Sequence, residues 1–248
     1  MNTLIDVLDT GGALEFRAGA RLAGRYHYRD AFKPFFGTLN TPKGHNVALV
    51  SPHDHKHHKG LMYALRAKDV NFWEEVTSLP DEVVGRQRHE RFDLVMSSNE
   101  EAGFRQVLTW EAVDGTRQSF LETRSVRVRE TPQGYQWTWE TTLAAQRDLT
   151  LIMSQWSAVL KDGRKINYHG LGLRFVRAFG GTGNNAIFVD GKKSPSKKAW
   201  APCRSWPPST APSIPNGRNG RRRERESVLP RTRNNPTRCS CWKNPSPS

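Results

Sequence analysis

Four histidines fall within six residues in the run Ser51-Pro-His-Asp-His-Lys-His-His-Lys-Gly60: His53, His55, His57 and His58. The whole chain has eight histidines in 248 residues, so half of them sit here, with His45 just upstream. Three chemistries suit such a cluster. In an extended segment His53, His55 and His57 would project to one side, because strand side chains repeat every second residue. Three imidazoles so placed could bind a divalent transition metal, with Asp54 as a second acceptor behind them. The four histidines could instead contact sugar hydroxyls and serve as a general acid near neutral pH. The third reading is a polar loop whose imidazoles hydrogen-bond the backbone. Pro52 and Gly60 bracket the segment, which favours an ordered loop.

Further candidates lie on either side. Upstream, Arg25-Tyr-His-Tyr-Arg29 brings Arg25, His27 and Tyr28 onto one strand, and Lys33 and Asn40 follow. Downstream, Asp69-Val-Asn-Phe-Trp-Glu-Glu75 offers Trp73 as a stacking surface for a sugar ring, beside Glu74. Phe35, Phe36 and Phe72 read as core. Glu122 and Glu140 sit on strands. Glu140 is the candidate base, and an exposed strand glutamate is the ordinary alternative for both. His89 reads as a surface residue. In Asn167-Tyr-His-Gly-Leu-Gly-Leu-Arg-Phe175 two glycines interrupt an apolar strand, the mark of a bulge or a close backbone approach, and His169 and Arg174 there complete the candidate set. Gly180-Gly-Thr-Gly183 lacks the spacing and the following helix of a phosphate-binding loop.

The elements that must position these residues are strands. Tyr135, Trp137, Trp139, Thr141 and Leu143 alternate with Gln136, Thr138, Glu140 and Thr142, giving one aromatic and one polar face. Val126 and Val128 alternate with Arg127 and Arg129. Phe104, Leu108, Trp110 and Ala112 share a parity that only Gln106 breaks. Leu149, Leu151 and Met153 continue the pattern. Turn signals separate these runs at Asp114-Gly115, Pro132-Gln133-Gly134 and Asp162-Gly163. Toward the N-terminus, Ala13–Ala18, Arg21–Tyr28 and Asn46–Val50 are expected strands, and Gly60–Lys68 is the one segment that suggests a short helix. The pattern predicts an all-β chain, an antiparallel β-sandwich.

Composition divides the chain. Residues 191–248 hold 14 of the 38 Lys and Arg but 2 of the 24 Asp and Glu, together with all three cysteines and 10 of the 15 prolines. The net charge of +14 therefore belongs mainly to this tail, and residues 1–190 are close to neutral. The expected organisation is a β-sandwich domain over 1–190 and a basic, disordered Pro/Arg/Ser-rich tail over 191–248. The tail reads either as an arm that binds nucleic acid or another polyanion through its charge or as an out-of-frame stretch. A Cys-x-Cys pair and one distant cysteine make a poor zinc site. The N-terminus does not read as a signal peptide, and nothing approaches the roughly 20 apolar residues of a membrane span. A cytoplasmic protein is expected from the chain as given, or a periplasmic or secreted one if a leader precedes it.

The order Tyr28, Lys33-Pro-Phe-Phe36, Leu39-Asn-Thr-Pro42, then Ser51-Pro-His-Asp-His-x-His-His-x-Gly-Leu61 and Asn71-Phe-Trp73 resembles the bacterial proteins labelled methane oxygenase PmoA-like. The likeness is densest over residues 25–75 and continues through Gly85, His89 and Gly170–Arg174 to about residue 190. It implies an all-β fold similar to galactose-mutarotase-like sandwiches, incomplete here because members run on for roughly another hundred residues. It also implies a carbohydrate-related role on a small-molecule sugar or glycoside, through an epimerase, hydrolase or lyase type of reaction. The label itself implies a metal-binding, oxygenase-type protein as the alternative; a non-catalytic binding module is the third. Methane oxidation of the membrane-enzyme kind is not expected of a chain without a spanning segment.

Overall fold

The computed structural model describes residues 4–154, 157–159, 165–166, 168–179, 188–189, 192–193 and 239–240. In chain order the strands are β1 (Ile5–Asp9), β2 (Ala13–Ala18), β3 (Arg21–His27), β4 (Phe35–Leu39), β5 (Leu61–Ala64), β6 (Val70–Asn71), β7 (Val83–Ser97) and β8 (Ala102–Ala112). There follow β9 (Gln118–Thr131), β10 (Gly134–Ala145), β11 (Ala158–Val159), β12 (Lys165–Ile166), β13 (Gly170–Leu173), β14 (Phe188–Val189), β15 (Lys192–Lys193) and β16 (Cys239–Ser240). The protein is all-β. One six-stranded antiparallel sheet runs β1-β2-β3-β4-β5-β13; the second, curled, runs β16-β10-β9-β8-β7-β6 and is antiparallel except for the β6–β7 pair. Among the described residues no helix is long and apolar enough to cross a membrane.

The period-two pattern builds the core. Leu14, Phe16, Tyr26 and Phe36 on the first sheet face Phe104, Val126, Val128 and Trp139 on the second, all buried. Tyr26 stacks on Phe104 with centroids 4.6 Å apart, and Trp137 meets Phe16 at 5.2 Å and Phe36 at 4.9 Å edge-on. These are the offset and edge-to-face arrangements aromatic quadrupoles favour. Gly24 makes room for this packing, since a Cβ there would lie 2.8 Å from the Trp137 ring.

The turn expected at Asp114-Gly115 joins β8 toward β9, and that at Pro132-Gln133-Gly134 joins β9 to β10. Asp162-Gly163 and most of the 191–248 tail lie outside the described residues. Three local expectations change. Gly60–Lys68 is not helical: Leu61–Ala64 forms β5, whose two faces are both covered, so the alternation that would reveal a strand is absent. Asn46–Val50 makes only single bridges, Asn40 with Asn46, Ala48 with Phe175 and Val50 with Lys59. Leu149–Met153 likewise contributes one bridge, Ala67 with Leu151.

A hydrogen-bonded polar group crosses the core. Glu122 and Arg124, both fully buried, form an ion pair, and Arg124 also donates to the Tyr26 hydroxyl and to Gln87. Glu122 was expected to be an exposed strand residue. It lies instead on the inward parity of Phe120, Val126 and Val128, where the Trp110 indole donates to it at 2.7 Å.

Candidate functional site

The histidine loop leaves Val50 and returns at Lys59, which bridge each other. It is a double turn rather than an extended strand: Pro52 accepts from the His55 amide, His55 from the His58 amide, and His58 from the Ser51 amide at 2.7 Å. Period-two projection therefore does not apply, and His53, His55 and His57 do not share a side as expected. The rings that gather are His55, His57 and His58, with centroids 4.4–6.0 Å apart. His53 turns outward, 3.3 Å from Arg177.

Three devices hold the loop. Asn71 caps the following segment, accepting from the amides of Trp73 and Glu74, which sets Trp73 beneath the imidazoles. Lys33, 1% exposed, donates to the carbonyl of Trp73 at 2.7 Å and to that of His57 at 3.3 Å, with Glu75 3.5 Å away. Burial pulls its pKa down to about 8, partly offset by Glu75. Lys33, a candidate substrate ligand from sequence, is thus a buried clamp between the loop and Trp73. The third device is Gly60. Its φ of 68° is left-handed, and a Cβ there would run into the Phe36 carbonyl oxygen. Gly60→Ala is expected to cost about 1–2 kcal/mol from the dihedral alone, and more from the collision. Its urea midpoint should fall well below that of a Gly11→Ala control, where the φ is also positive but nothing lies within reach.

The loop packs on the outer face of the first sheet, away from the intersheet core. Trp73 joins Phe35, Met62 and Ala64 there, with Tyr168 against them. His57, His58, Tyr168 and His169 surround the Trp73 indole at centroid distances of 5.2–6.5 Å. Trp73 is only 2% exposed, so it forms a floor and does not present the open stacking surface expected for a sugar. A hollow of about 10 Å³, room for about one water, lies between His58, Met62, Trp73 and Arg174. Arg174 arrives by the pairing of β13 with β5: its amide donates to the Gly60 carbonyl, and its carbonyl accepts from Leu49.

Burial keeps these imidazoles neutral. It holds His57 down to about 4, with the Lys33 ammonium adding to the effect, and His58 to about 3, with His57 and His55 adding. Burial likewise holds His169 at about 4, and Arg66 contributes. At neutral pH His57, His58 and His169 are unprotonated. The general-acid role expected of the loop does not fit His57 and His58 in this charge state.

The metal fits less well. Among the described residues no group of three or more His, Cys, Asp or Glu side chains could hold an ion. The rings of His55 and His58 lie 21° from parallel in a stack. Imidazole lone pairs lie in the ring plane, so stacked rings do not aim at a common point between them.

Other candidates lie elsewhere. Glu74 is tied to Arg66 and Asn71 beside the site. Arg25, on the outer face of β3, has Glu15 at 3.7 Å, and His27 on the same face stacks on Phe35. Tyr28 points inward and donates to Asp9; His89, half-buried rather than on the surface, packs against it and contacts Gln106. Asn40 donates to the Leu22 carbonyl. Glu140 occupies the outer face of β10, in the other sheet, paired with Arg127. Sequence reasoning missed Tyr168 and Arg177 as members of the site. Both depend on where β13 docks, which no local pattern encodes.

No curated protein and no solved structure matches the chain. One family does, over residues 13–215, a span that crosses the change of composition near residue 190. With most of its length matched, the chain belongs to DUF6807, a family of unknown function.

Proposed function

We propose that the protein is a sugar-active enzyme of the epimerase or lyase type, in which imidazoles of the 51–60 loop take a proton from carbon. The observation that carries this reading is the unprotonated His58 imidazole lining a hollow with Arg174, with His57 beside it against the same Trp73 ring. In the step envisaged, a C–H bond next to a carbonyl or carboxylate breaks. Its electron pair moves into that group as an enolate, and the proton goes to an imidazole nitrogen. Arg174 supplies the positive charge that the developing oxyanion needs. The likeness to methane oxygenase PmoA-like proteins, and through them to galactose-mutarotase-like sandwiches, supports the sugar part of the proposal.

A hydrolase is the weaker choice, because two free carboxylates flanking one bond are the usual requirement. Glu74 is held by Arg66, and Glu140 belongs to the other sheet. The test is proton NMR in D2O with galactose, glucose and their uronic acids. One C–H signal of a substrate is expected to fade through solvent exchange, about 100-fold more slowly with His57→Ala. No exchange in any of the four, and no binding by calorimetry, would remove the reading.

A further inference from the structure

We infer that the mouth of the hollow is a carboxylate subsite, in which Arg174 and Arg177 bind the acid group of a sugar acid in the place that the side chain of Asp54 occupies. This rests on the proposed sugar-active reading and narrows its substrate class.

The geometry is that of an internal stand-in. Arg174 Nη2 lies 3.7 Å from one Asp54 oxygen and Arg177 Nη2 lies 3.4 Å from the other. A locked charge-assisted bond between guanidinium and carboxylate is about 2.7–2.9 Å. Both arginines are therefore aimed at a carboxylate without being closed on it. Asp54 is itself 41% exposed and shared with His55 at 3.3 Å, on a loop that a ligand could displace.

The charge balance points the same way. Among the carboxylates near the floor, Glu75 is matched by Lys33 and Lys59, and Glu74 shares Arg66 with Glu82. At the mouth itself two guanidiniums share one exposed aspartate. Guanidinium is also the cation whose planar fork suits a planar carboxylate. Arg174 lines the hollow together with His58, so an acid group held there would present its α-carbon toward the His58 imidazole. A carboxylate beside His57 would also favour its protonated form, raising its basicity toward the neutral range.

Calorimetry on the full chain with galacturonate against galactose, and glucuronate against glucose, tests the subsite. Each acid should bind at least tenfold more tightly than its neutral parent. Arg174→Gln should abolish that preference. Arg177→Gln, at a side chain 64% exposed, should weaken it at least threefold. Asp54→Asn should act in the opposite direction, tightening the acids by removing their internal competitor. Equal binding of acid and neutral sugar, or a preference that survives both arginine substitutions, overturns the subsite and leaves the sugar-active reading standing. If neither acid nor neutral sugar binds, both fall.

Discussion

Replacing Glu122 by alanine is expected to lower the unfolding free energy by about 3–5 kcal/mol, the usual cost of removing one partner from a buried ion pair. Arg124 and Glu122 are both fully buried and face each other through two hydrogen bonds of 2.8 Å, Nε to Oε1 and Nη2 to Oε2. The carboxylate also accepts from Trp110 and from the Thr141 hydroxyl. The guanidinium is satisfied by Tyr26 at 2.8 Å and Gln87 at 3.0 Å, and lies over the Trp139 ring at 4.7 Å. The two charges offset each other, so truncating one side leaves a charge in the core with nothing to offset it. Urea unfolding followed by tryptophan fluorescence measures the loss. A domain of ordinary stability has about 5–15 kcal/mol in total, so the single variant could fall apart. The double variant Glu122→Leu/Arg124→Met then keeps the claim testable. It should unfold between the single variant and the parent, because a hydrophobic pair replaces the ions while Trp110 and Gln87 each lose a partner. A single-site loss under about 1 kcal/mol, or a double variant worse than the single, would contradict this account of the core.

The same network connects the two sheets to the site. Gln87, which accepts from Arg124, donates its own amide to the Tyr63 carbonyl in β5 at 2.8 Å. β5 is the strand on which β13, and with it Arg174, docks. The buried ions thus fix the position of the strand that carries one wall of the hollow.

How much of this could be read from sequence depends on whether a residue's neighbours are local. The strands around Trp110, Val126 and Trp139 were legible because one face of each is core, and period two then shows directly in the residue types. Gln106 looked like an exception to its parity, but it is buried and accepts from the Tyr26 hydroxyl at 2.6 Å, so the pattern was intact. Glu122 and Arg124 follow the same parity as Val126 and Val128. Their charge hid it, because hydropathy alone cannot distinguish a solvated strand face from a satisfied buried pair. The site was half legible. The density of histidines between Pro52 and Gly60 marked it, and the glycine-interrupted strand before Arg174 marked its second wall. The loop's internal geometry was not legible, since it is set by Lys33, by the left-handed Gly60 and by long-range pairing, none of which leaves a periodic trace.

Acid should undo the protein through these same histidines. The folded-state pKa values of His57, His58 and His169, about 4, 3 and 4, lie below the ordinary 6.5. Between those limits the unfolded chain binds protons that the folded chain refuses, so the stability gradient with pH is positive there. Their contribution is complete above pH 6.5 and is lost as pH falls toward 3. His58, 2% exposed, dominates; His57 and His169 are more open to solvent and count for less. His58 alone accounts for a loss on the order of 4 kcal/mol between pH 6.5 and 3.5, taking one pKa unit as about 1.4 kcal/mol, and the other two add a share reduced by solvent screening. Lys33 gives the opposite limb. With a folded pKa of about 8 against 10.5 unfolded, it makes stability rise further from pH 8 toward 10. Beyond that the buried hydroxyls of Tyr26 and Tyr63, whose ionisation burial pushes up, reverse the trend. Urea midpoints measured from pH 3.5 to 10.5 should therefore climb steeply to about pH 6.5, flatten, and climb again before falling. In His58→Phe, which keeps a ring against Trp73 and Tyr168 but cannot titrate, the acid limb should lose about half its height. An acid limb of the same height in that variant would mean that carboxylates, and not the imidazole cluster, govern the response to pH.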